Sequence, residues 1–97
     1  MRDIATLKAI LEREKEELKE KYQVKELGIF GSYVRGEAGE GSDIDILVEF
    51  EVVPGLLKFI ELEEHLSELL GVKVDLVRKK SVREELKDSI LEEVVMI

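Results

Sequence analysis

The chain predicts an α+β fold, a small mixed β-sheet of three or more strands with helices packed on one face. Three observations carry this. Apolar residues recur at helical spacing near both ends and in the middle of the chain, while the segments between them read as short strands. One strand-to-strand link is short and another is long and helical, which together call for antiparallel and parallel pairing in one sheet. At 97 residues the chain suits a single domain, residues 1–97, with one core and a high surface-to-volume ratio.

From Asp3 to about Tyr22, Ile4, Leu7, Ile10, Leu11 and Leu18 follow helical spacing, with Asp3 as N-cap and the charged remainder as a solvated face. Val24 to Phe30 reads as a first strand, closed by Gly31-Ser32. Ser32 is placed to cap a short helical turn through Tyr33, Val34 and Arg35, which Gly36 ends. Residues 37–42 form a loop rich in Gly and Glu, and Asp43 to Phe50 forms a second strand. Pro54-Gly55 breaks the chain before a helix from about Leu56 to Leu70, with Phe59, Ile60, Leu66 and Leu70 as its apolar stripe and Gly71 as C-cap. Val72 to Val77 is a third strand. The basic run Arg78-Lys79-Lys80, a Ser81 cap and a last helix carrying Val82, Leu86 and Ile90 follow. The apolar tail Val94-Val95-Met96-Ile97 fits either core or a partner-facing surface.

Composition narrows the chemistry. The chain has no Cys, so a metal here would be a hard cation held by oxygen ligands, magnesium or manganese. A formal charge of -8 repels nucleic-acid backbones, which disfavours direct nucleic-acid binding and favours a small nucleotide or a protein as partner. Met1-Arg2-Asp3 leads into a charged amphipathic segment, and no apolar run approaches membrane-spanning length. The expected location is the cytoplasm, with no membrane association.

The chemistry concentrates in GSYVRGEAGEGSDIDILVEF. Period-two alternation sets Asp43 and Asp45 on one face of a strand whose other face is Ile44, Ile46 and Val48. Two carboxylates that close repel unless protons or cations neutralise them. Asp75 projects from VKVDLV and joins them if its strand is the neighbour of the second. The short antiparallel link brings the Gly31-Ser32 turn beside Asp43. There the amides of Gly31 and Ser32 and the Ser32 hydroxyl suit a nucleotide's terminal phosphates, with Arg35 adding charge-assisted bonds. Two hard cations held by the acids would bind the attacking and leaving oxygens of a displacement at phosphorus. Taken singly these features have ordinary readings: strand-edge charges for the aspartates, a plain turn for Gly31-Ser32, a solvated run for Arg78-Lys79-Lys80, and packing for Tyr33. His65 reads as an exposed residue on a polar helix face.

Gly31-Ser32, ten intervening residues and Asp43-x-Asp45, with VDLV downstream, resemble the signature of the DNA polymerase β-like nucleotidyltransferase superfamily. Size and the RGEA segment are similar to its minimal nucleotidyltransferases, the MNT or MntA group encoded beside HEPN-domain proteins as toxin–antitoxin partners. The resemblance implies the polymerase β-like nucleotidyltransferase fold and a magnesium-dependent enzyme with two ions, manganese being an alternative. It also implies transfer of AMP from ATP, a nucleoside triphosphate, to a tyrosine hydroxyl of a HEPN toxin. By motif, Asp43, Asp45 and Asp75 are metal ligands and catalytic acids, and Gly31, Ser32 and Arg35 bind the nucleotide. Two alternatives stand beside this reading: an antitoxin that neutralises its partner by binding alone, and a nucleotidyltransferase acting on a small hydroxyl compound.

Overall fold

The structure, a computed structural model, describes residues 3–97; the Met1-Arg2 start lies outside the described residues. Four helices, α1 (Ile4–Tyr22), α2 (Ser32–Arg35), α3 (Leu56–Leu70) and α4 (Glu84–Glu93), accompany four strands, β1 (Val24–Phe30), β2 (Ile44–Phe50), β3 (Val74–Arg78) and β4 (Val95–Met96). They form one sheet in the order β3-β2-β1-β4. The short β1 to β2 link gives an antiparallel pair. The long helical crossover through α3 makes β2 and β3 parallel, because a strand that returns to the same end of a sheet needs a connection of that length.

Local chemistry fixes the element ends. The Asp3 carboxylate accepts from the Thr6 N–H at 2.8 Å and caps α1. Lys19 and Lys21 in the last turn suit the negative end of its dipole. Gly71 closes α3 at φ 68, a left-handed conformation natural to glycine. Leu7, Leu11 and Leu18 of α1 meet Leu62, Leu66 and Leu70 of α3 over the inner face of the sheet, which presents Ile29, Ile44, Ile46, Val48 and Val74. The outer face carries Asp45, Leu47 and Glu49 of β2, and α4 lies along it: Leu47, Ile90 and Leu91 line one shared cavity.

Several expectations move by a turn or a residue. Gly31, with no side-chain cap bond, precedes α2, so Ser32 is its first residue and not its cap. Asp43 lies just ahead of β2, and β3 begins at Val74 instead of Val72 and runs through Arg78. In α3 the stripe runs through Leu62, and Ile60, about 100° round the helix from Phe59, is 40% exposed. Arg83 and not Ser81 precedes α4; Lys79–Ser81 form a 3₁₀ turn. No residue of α4 is fully buried, so Leu86 and Ile90 make a thin contact in place of a core stripe. His65 is half-buried, its ring stacked on Tyr22 with centroids 5.9 Å apart, and its Nε2 is buried without a hydrogen-bond partner. The C-terminal tail adds the edge strand β4, pairing Gly28 with Met96 and Ile29 with Val95.

Candidate functional site

Strand register assembles the acidic cluster. In the parallel β2–β3 pair Asp45 stands directly opposite Asp75, and in the antiparallel β1–β2 pair Phe30 stands opposite Asp45. Gly31, the next residue, is therefore delivered onto the Asp45 carboxylate. Gly31 has φ 82 and ψ -152, a combination open to glycine alone, and a Cβ there would collide with the Asp45 side chain. Ser42 pins the intervening loop: its hydroxyl accepts from the Gly39 N–H at 2.9 Å, and its carbonyl accepts from the Tyr33 hydroxyl at 3.4 Å. The loop thus ends at a fixed point one residue before Asp43. Tyr33 itself is buried in the core and takes the packing role.

Asp75 is held from outside. β3 is an edge strand whose outward N–H groups would be unpaired. Val74 donates instead to the Ser67 hydroxyl and Leu76 to the Glu63 carboxylate, both at 2.9 Å from α3. These two bonds flank Asp75 and set its height against Asp45.

The Asp45 carboxyl senses the other two. Burial pushes the Asp45 carboxyl above its ordinary value; the charges of Asp75 and then Asp43 push it further, and Arg35 pulls it back. Asp43 and Asp75 are exposed. Among the described residues no three acid or imidazole groups are drawn together tightly enough to hold an ion. The donor set is nonetheless all oxygen, carried on adjacent strands and electrostatically coupled, and it fits a hard divalent cation. The acids stand on an open shelf. A cleft of about 510 Å³ lies elsewhere, lined by Lys25, Leu47, Lys79 and Leu91 and by none of the three aspartates.

The structure brings Gly31, Asp45 and Asp75 together, with Asp43 near enough to raise Asp45. Ser32 opens α2 beside them. Arg35 is tied on both sides: its Nε donates to Glu37 at 2.9 Å and its Nη1 to the two Glu93 oxygens at 3.2 and 3.3 Å. The Gly31 N–H also donates to Glu93, at 2.8 Å. Glu93 escapes a reading of the motif because it lies 62 residues downstream on a helix of unremarkable charge pattern; no local signal marks it.

A mixed sheet that carries a Gly-Ser turn against an Asp-x-Asp strand, with a third acid on the parallel neighbour, defines the class of nucleotidyl-transferring enzymes. The sequence profile of the nucleotidyltransferase domain matches residues 11–97, and the chain belongs to that family as a nucleotidyltransferase. Within it the chain is a minimal nucleotidyltransferase of the MntA type. It is 54% identical over 97 residues to the protein adenylyltransferase MntA of Thermococcus cleftensis, covering 100% of this chain and 98% of that one. A solved minimal nucleotidyltransferase matches with a TM-score of 0.79 at 37% identity, over 97% of this chain and 95% of its own. A chain in a crystal structure of a toxin-antitoxin with AMP-PNP matches with a TM-score of 0.71 at 26% identity, over 88% of this chain and 69% of its own.

Proposed function

We propose that this nucleotidyltransferase uses magnesium and ATP in the cytoplasm to transfer AMP to a tyrosine hydroxyl of a HEPN-type toxin, and so serves as its antitoxin. The observation that carries the reading is the Asp45–Asp75 register with Gly31 packed against the Asp45 carboxylate. Kinship with a protein adenylyltransferase and with a chain in a toxin-antitoxin bound to AMP-PNP supports the choice of nucleotide and partner. The open shelf supports a protein acceptor, since a site this exposed needs a second surface to exclude water from the reaction.

Asp43, Asp45 and Asp75 would hold two magnesium ions, with manganese as a substitute. Once bound, the ions would offset charge on the attacking and leaving oxygens. Ser32, through its N–H and hydroxyl, with Gly31 and Arg35, would orient the β- and γ-phosphates. Asp75, the exposed acid at the sheet edge, would orient the incoming hydroxyl and receive its proton. The tyrosine oxygen bonds to the α-phosphorus, the bond from that phosphorus to the bridging oxygen breaks, and pyrophosphate leaves.

The test is incubation with ATP, magnesium and a HEPN-type toxin. Label on the α-phosphate is expected to pass to the partner, and label on the γ-phosphate is expected to stay off it. Absence of α-label on the partner contradicts the proposal.

A further inference from the structure

Glu93 ends α4 and answers to nothing in the motif, yet it engages two of the groups assigned above to the nucleotide. One of its oxygens accepts from the Gly31 N–H at 2.8 Å, and both lie within 3.3 Å of Arg35 Nη1. A carboxylate held by a backbone amide and a guanidinium presents the same charge and the same pair of acceptor oxygens as one edge of a phosphate. The single Gly31 N–H cannot serve the carboxylate and a phosphate at full strength together, and Glu93 takes up part of the charge and of the donor fork that Arg35 would offer a phosphate. Glu93 also adds a negative charge where a triphosphate would bring several more, and its side chain is only 23% exposed, so water screens that repulsion poorly.

The element that carries Glu93 is lightly held. No residue of α4 is buried, its N-terminus lacks a side-chain cap, and Leu86 and Leu91 are nearly half exposed. A cavity of about 150 Å³ separates Ile90 and Leu91 from Leu47 on the sheet. Little packing along the helix itself therefore opposes a shift, and what holds its end is Val94, packed over Gly28, and the strand that follows. Beyond it, β4 is joined to β1 through residues 95 and 96, and the Ile97 N–H donates to the Leu27 carbonyl at 3.0 Å.

We propose that Glu93 is an internal occupant of the phosphate subsite, exchanged for the nucleotide's phosphate on binding, so that this one carboxylate sets nucleotide affinity and couples occupancy to the α4–β4 segment. The inference rests on the nucleotide-binding reading above. An exchange of this kind makes nucleotide binding and release of Glu93 the same event seen from two sides.

The experiment is a calorimetric titration of the full chain and its Glu93→Gln variant with AMP-PNP and magnesium. Gln keeps an acceptor for the Gly31 N–H and removes the charge. The variant is expected to bind at least about five-fold more tightly, the lower end of ordinary coupling between competing groups. Equal or weaker binding by the variant, with the parent still binding, overturns the exchange and leaves the nucleotide reading intact. Binding by neither form overturns that reading and the exchange with it. If Glu93→Gln does not fold, amide hydrogen exchange on the parent decides: nucleotide saturation is expected to speed exchange at Val94 and Ile97, and unchanged or slower exchange overturns the proposal.

Discussion

Asp45→Asn should make the ion-free protein more stable while removing its activity. Asp45 sits half-buried between Asp75 across the strand pair and Asp43 behind it, and burial followed by those two charges raises its pKa. Neighbouring strands lie about 4.8 Å apart, and two unit charges about 5 Å apart repel by ~0.8 kcal/mol in water and ~3 kcal/mol at an effective dielectric near 20. Asp43 and Asp75 are both exposed, which favours the lower end. Removing the Asp45 charge should thus gain about 1 kcal/mol, or about 4–8 °C in Tm for a domain of this size. The assay is thermal unfolding followed by circular dichroism with a chelator present. A carboxyl whose pKa is raised by folding binds its proton more readily in the native state. Parent stability therefore rises as pH falls from above the raised value toward the ordinary 3.8, and the Asn variant loses that part of the pH dependence. AMP transfer should fall by at least about 100-fold, since one tenfold step corresponds to 1.36 kcal/mol and a lost ion ligand removes several. A variant less stable than the parent by about 1 kcal/mol, on the same scale, would refute the electrostatic reasoning and make Asp45 a structural acid.

Gly31→Ala places a methyl against the Asp45 carboxylate at φ 82. It should cost at least about 2 kcal/mol in urea unfolding and abolish transfer. Asp75→Asn should slow transfer more than about tenfold in a steady-state assay with little loss of stability, because the side chain is exposed. Ser67→Ala strips the Val74 N–H of its acceptor. It should cost about 1 kcal/mol in chemical denaturation and raise amide exchange along β3.

The Asp cluster was legible because strand alternation is local and because Gly31-Ser32 and Asp43-x-Asp45 sit on either side of one short link. The partnership of Asp45 with Asp75 followed from the length of the α3 crossover, which permits few topologies. What stayed hidden depends on contacts between distant segments. Glu93 reaches Gly31 only because the C-terminal tail returns as an edge strand beside β1, a placement that no periodicity in a four-residue apolar tail encodes. Leu86 and Ile90 have helical spacing yet little burial, since spacing reports a shared face and not what covers it. His65 shows the converse. Its glutamate neighbours mark a polar face, but Tyr22 at the end of α1 closes over the ring.

On the proposed function, the paired aspartates perform nucleotidyl transfer and do more than shape a binding surface. The most direct measurement compares the parent with the Asp43→Asn/Asp45→Asn double variant, each co-expressed with a HEPN-type toxin, for AMP on a tyrosine of that toxin and for relief of its toxicity. Both should be present with the parent and lost together in a double variant that remains folded. Relief of toxicity that survives without AMP on the toxin would overturn the catalytic role of the pair and identify a protein that neutralises by binding alone.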